Sequence, residues 1–151
     1  MAFSDVPSRV NGPPIEASWF NALRTAGIAL ESFLGSVIGL TTFTIANNQA
    51  AAANVTGLVF NGTSVKMAII DYRIRRNTTG GGATERVQGG SMVALYAAAA
   101  GTWSLTPGPQ SGDDAGVAFT ITAGGQVQYT SDSQTGTADE SILKYTVRSI
   151  A

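Results

Sequence analysis

Carboxylates are the residues of this chain best suited to reaction chemistry. They fall in three places: Asp71; Asp113-Asp114; and Asp132 with Asp139-Glu140. Glycosidases work with two carboxylates facing each other across a sugar-binding cleft. The same residue type is also an ordinary stabiliser of β turns, where its side chain accepts hydrogen bonds from nearby backbone N–H groups. Asp113 and Asp114 follow the turn-rich stretch Pro107-Gly108-Pro109-Gln110-Ser111-Gly112. The turn role is therefore expected, and no catalytic residue is assigned. Asp113, Asp114 and neighbouring carbonyls offer the oxygen ligands that calcium prefers, yet the spacing of an EF-hand loop is missing. No metal and no cofactor is expected.

Other catalytic constellations fail for want of residues. The chain has no histidine and no cysteine. Ser-His-Asp and Cys-His nucleophile systems cannot form within it, and neither can disulfides or thiolate metal sites. Gly80-Gly81-Gly82 lacks the following Lys-Ser/Thr of a phosphate loop and reads as a hairpin tip. Trp103, Tyr96, Tyr129 and Tyr145 are candidates for a sugar platform or for the core. Trp103 opens a short segment after a turn, which makes it, with Asp113 and Asp114, the candidate for surface recognition. Arg73, Arg75 and Arg76 crowd the end of one strand; they read as a solvated edge or as an inter-subunit ion pair. The chemistry points to a non-enzymatic protein.

Composition agrees. Only 13% of the 151 residues are charged and 44% are hydrophobic, against about a quarter charged in ordinary soluble domains. So thinly charged a surface resists association poorly, which suggests that partner subunits cover much of it. Net charge is −1. No basic face is expected for a phosphate backbone, so nucleic acid is not a predicted partner. No Lys/Arg run addresses an anionic membrane. The most apolar stretch, 28–45, is interrupted by Glu31, Gly35 and Gly39, so membrane insertion is not expected. The first residues carry neither the basic nor the apolar region of a signal peptide.

Two parts are expected to position these groups. Residues 1–14, with Pro7, Gly12, Pro13 and Pro14, read as an extended arm. From residue 15 the apolar spacing changes. Trp19, Leu23, Ala26, Leu30, Phe33, Val37 and Leu40 are separated by 4, 3, 4, 3, 4 and 3, the a/d pattern of a heptad. Phe20 and Leu34 widen the stripe, and Gly35 suits a helix stop near Leu34. A helix of this length is marginal alone. It needs a partner, either further copies of itself or its own β domain; self-association is favoured. Residues 1–40 are thus expected to be an arm and an anchor helix.

Residues 41–151 read as one antiparallel β-sandwich or jelly-roll-like domain. Thr41 to Ile45, Val55 to Phe60 and Ile142 to Ile150 have β character. Val65 to Arg75 is a long strand whose apolar phase slips at Ile69-Ile70, where a β-bulge is expected. It should pair with 84–97 as a long hairpin. Val117, Phe119 and Ile121 alternate against Val127 and Tyr129 around a glycine turn, a second hairpin. Loops are expected at 77–84, 106–115 and 131–140.

The stretch Asn11-Gly12-Pro13-Pro14-Ile15-Glu16-Ala17-Ser18-Trp19-Phe20-Asn21-Ala22-Leu23-Arg24 resembles the N-terminal segment of small virion structural proteins of tailed bacteriophages. The stretch from Gly112 to Ser131 is similar to the closing hairpin of the same proteins, as is Ile45-Ala46-Asn47-Asn48-Gln49 to their intervening segment. The resemblance spans most of the chain and carries no catalytic residue. It implies a virion component made in the host cytoplasm and assembled as a homotrimer. The 1–40 segment would dock on other virion subunits. The β domain would serve as a tail fibre, adhesin or collar element that can contact a host surface glycan. A capsid decoration (cement) protein and, from a different class, a carbohydrate-binding module remain alternatives.

Overall fold

The structure, a computed structural model, describes residues 36–80 and 84–151. Nine strands follow in order: β1 (Ser36–Thr44), β2 (Ala53–Val59), β3 (Met67–Thr79), β4 (Glu85–Ala97), β5 (Thr102–Gly112), β6 (Val117–Ile121), β7 (Gln126–Ser131), β8 (Ala138–Asp139) and β9 (Ile142–Ile150). The larger sheet runs β1-β9-β3-β4-β5, with β8 added beside the end of β3, and the smaller runs β2-β7-β6. Every pairing is antiparallel. The described part is therefore mainly β, as its β-branched and alternating segments predict. The expected anchor helix and its residues Trp19, Phe20, Leu23, Ala26, Leu30, Phe33 and Leu34 lie outside the described residues. Val37 and Leu40, the last two heptad positions, lie on β1.

Both predicted hairpins form. β3 and β4 keep one register from Met67 opposite Leu95 to Asn77 opposite Glu85. β6 and β7 pair from Val117 opposite Ser131 to Ile121 opposite Val127. Their turn is closed by Thr122, whose carbonyl accepts from Gly125 N at 2.9 Å and whose hydroxyl accepts from Gln126 N at 3.1 Å.

Three local expectations are corrected. First, no bulge interrupts Ile69-Ile70. β3 keeps unbroken register with β4 on one flank and β9 on the other. Ala68, Ile70, Tyr72 and Ile74 point into the core. The apolar phase slips because the outer face is itself apolar at this end: Met67 lies opposite Leu95 and Ile150, and Ile69 opposite Val93. Second, 106–112 is strand rather than loop. β5 is an edge, where a missing proline N–H costs no ladder bond. Pro107 pairs with Met92 and Gln110 with Gly90, so a register shift admits the extra residue between them. Third, the Arg73–Arg76 stretch lies on an interior strand, not at a solvated edge.

A single core lies between the sheets. Ile70, Ile74, Leu143 and Val147 from the larger sheet and Val55, Leu58 and Val127 from the smaller are fully buried. Aromatic pairs join the layers: Phe43 of β1 meets Tyr129 of β7 edge-on at 5.4 Å, and Tyr72 of β3 meets Phe119 of β6 at 5.5 Å. Burying each such side chain contributes about 1.5–3 kcal/mol.

The unbroken register of β3 has a direct consequence. Ile70→Ala leaves a core cavity and should lower unfolding free energy by about 2–5 kcal/mol. Ile69→Ala, one residue away on the outer face, should cost under about 1.5 kcal/mol because only partial burial is lost. Urea denaturation of the two variants checks this; equal losses would restore the bulge.

Candidate functional site

The inward row of β3 changes character at its end. After Ala68, Ile70, Tyr72 and Ile74 comes Arg76, whose side chain is 0% exposed. A guanidinium has five N–H donors, and each has an acceptor here. Nη1 donates to the Ala115 carbonyl at 2.8 Å and to Oδ1 of Asp132. Nη2 donates to Oδ1 of Asn47 at 2.8 Å and to the Asp132 carbonyl at 2.9 Å. Nε reaches the Ser141 hydroxyl at 3.4 Å.

The partners are themselves fixed. Oδ1 of Asn47 also accepts from Gln134 N at 2.8 Å, and its amide donates back to the Gln134 carbonyl at 3.1 Å. Gln134 is buried, and its amide donates to the Thr84 carbonyl at 2.9 Å and hydroxyl at 2.7 Å. Arg86 of β4 adds a second cation to Asp132, 2.8 Å from Oδ2.

Beside this network opens a cleft of about 440 Å³ lined by Gln49, Asp114, Gly116, Thr130, Ser131 and Asp132 among others. It brings Asp114 and Asp132 onto one surface, a pairing that their separation in sequence conceals. Asp114 sits in a tight turn, its Oδ1 accepting from Gly116 N at 2.8 Å. Gly116 has φ +63°, and a Cβ there would overlap the Asp132 carboxylate. Burial pushes the Asp132 carboxyl up, but hydrogen bonds from Arg86 and Arg76, with their charges, outweigh it and hold the carboxyl below its ordinary value. Acid catalysis by a carboxyl at neutral pH needs a shift the other way. The arrangement keeps Asp132 ionised as a clamp between two arginines.

The remaining candidates scatter. Asp113 caps the start of β4, its Oδ2 accepting from Val87 N at 3.0 Å. Asp71 pairs with Arg148 at 3.1 Å on the outer face of the larger sheet. Trp103 is 7% exposed and packs between Phe60 and Tyr96, each ring 5.4 Å away. It belongs to the core and offers no platform. Among the described residues, no group of three or more carboxylates could hold a metal ion. Asn47 and Gln134 are missed by motif reading, and Arg76, read there as an edge charge or an inter-subunit ion pair, is instead buried and paired within the chain. Arg76 alone left a signal: it keeps the even phase of Ile70, Tyr72 and Ile74, which points it inward.

No protein-family model matches the chain, and no curated protein matches it.

Two outcomes test the network. Arg76→Leu strands several acceptors at once and should cost about 3–5 kcal/mol; Arg76→Lys, with three donors, should recover part of that. Asp132 has a folded pKa below its unfolded one. Its contribution is therefore fully present above the unfolded value of about 3.9 and is lost as pH falls through the folded value. Urea midpoints measured from pH 7 to pH 3 should fall less steeply in Asp132→Asn than in the natural chain. Parallel curves would remove Asp132 from the acid response.

Proposed function

We propose that this chain is a non-enzymatic structural subunit of a tailed-phage virion, a tail-associated fibre, adhesin or collar element. In this reading the residues before β1 anchor it and hold three copies together, and the two sheets form a β-sandwich carried by that anchor. The phage assignment rests on the resemblance of residues 11–24 and 112–131. The structural role rests on one observation about the surface. On the solvent face of the larger sheet, Leu95, Met67 and Ile150 lie side by side across β4, β3 and β9. Leu95 is 51% and Ile150 43% exposed, and Ile69 and Val93 extend the patch by one more rung. Exposed apolar neighbours of this kind support an interface reading. It lies beside the start of β1, where Ser36 pairs with Ser149. Copies joined through the chain preceding Ser36 would meet there at high effective concentration.

Light scattering decides the assembly. The full chain should have the mass of three copies, and residues 36–151, which contain all of the described core, should be monomeric and folded. Two monomers would overturn the anchored-trimer reading. In purified particles a few dozen copies or fewer is the expected count; hundreds would make the chain a capsid decoration protein.

A further inference from the structure

The outer face of the larger sheet carries a second, different surface. One rung runs Gly89, Arg73, Lys144, Thr42 across β4, β3, β9 and β1. The next runs Val87, Arg75, Ile142, Thr44. Arg73 and Lys144 are therefore direct cross-strand neighbours of like charge, an arrangement that costs stability. Every other cation among the described residues has a partner. Arg75 pairs with Glu85 at 2.7 Å, Arg148 with Asp71, and Arg76 and Arg86 with Asp132. Lys66 lies over the Tyr96 ring and bonds the Gly62 carbonyl. Arg73 and Lys144 alone in that set have no hydrogen bond, ion pair or ring contact, and both are exposed. In a chain with so few charges, two adjacent cations without a protein partner are the positions on this face that an anion would neutralise.

The surroundings define that ligand. Arg73, Arg75, Ile142 and Lys144 line an open groove of about 270 Å³, just below the size range of pockets for drug-sized molecules, so it suits a single ring. Gly89 has no side chain, and a Cβ there would meet nothing nearer than 3.8 Å, which leaves Arg73 open from that flank. Ile142 and Val87 offer apolar contact to the C–H face of a ring. Thr42 and Thr44 are exposed on the outer strand and offer hydroxyls as donors and acceptors. Nucleic acid fits less well, because among the described residues this face carries no aromatic side chain on which bases stack.

We propose that Arg73 and Lys144 form a subsite for an acidic saccharide, with the sugar carboxylate bridging the two side chains and the ring lying along Ile142. The subsite deepens the adhesin reading and rests on it for its setting. Binding is measured on the isolated full chain and assembly by its mass, so the two fail separately.

The test is titration calorimetry of the full chain with oligogalacturonate at low and physiological salt. Inorganic phosphate and polyglutamate are the comparison ligands. Oligogalacturonate should bind, more weakly as salt rises. Arg73→Ala and Lys144→Ala should each weaken it by about tenfold or more, the loss of one charge-assisted hydrogen bond. Arg148→Ala, the same change of charge on the same face but at a paired residue, should change it less than about twofold. Each of the two site variants should also melt no lower than the natural chain, since like-charge repulsion is relieved. The proposal is overturned by absence of binding, by an equal loss in Arg148→Ala, or by polyglutamate binding where oligogalacturonate does not, which would make the partner an acidic polypeptide.

Discussion

A buried guanidinium tolerates no unfilled donor, and the loop end of this fold is arranged around that demand. Desolvating a cation costs several kcal/mol unless every donor finds an acceptor. The acceptors of Arg76 come from four separate connections: Asn47 after β1, Ala115 between β5 and β6, Asp132 after β7, and Ser141 before β9. Each is held because its carbonyl, amide, hydroxyl or carboxylate must meet one planar group on the most extensively paired strand of the structure. Secondary contacts then tighten the same segments: Ile45 N donates to the Ser141 carbonyl at 2.9 Å, Asn48 N to the Asp132 carbonyl at 3.0 Å, and Ser131 N to the Gln49 carbonyl at 2.9 Å. The apolar core fixes which sheets face each other, and the arginine fixes how the loops close over one end.

Legibility in the sequence follows from the range of the interactions involved. The β3–β4 and β6–β7 hairpins are local. Their alternation and turn residues lie close together, so both could be read directly. The Pro107-Gly108-Pro109 stretch could not, because proline signals a break unless the strand is known to be an edge, and edge position is a property of the whole sheet. Ile69-Ile70 misleads for a related reason. A phase slip in one strand means a bulge if only one face is apolar, and no bulge if the outer face is apolar too. That second face is defined by Leu95, Val93 and Ile150, which belong to other strands. The candidate cleft was hidden most deeply. Asp114 and Asp132 are brought together through Gly116 and Arg76, and nothing in their own spacing announces it.

The scarcity of charge takes on meaning once the pairs are assigned. Arg76, Arg86 and Asp132 form a structural clamp, while Asp71 with Arg148 and Glu85 with Arg75 sit as closed pairs on the outer sheet face. Surface pairs of that kind contribute little stability. Their positions matter more. Arg148 shares the rung of Ile69 and Val93, and Asp71 stands one rung further on, before the Arg73–Lys144 rung, so the closed pair separates two surfaces of different chemistry. An apolar rung is quietest when covered by protein; an unpaired cationic rung is quietest in contact with an anion or with water. One strand pair, β3 with β9, presents both. The unbroken register of β3 with β4 and β9 holds the two surfaces at fixed positions along the same strands.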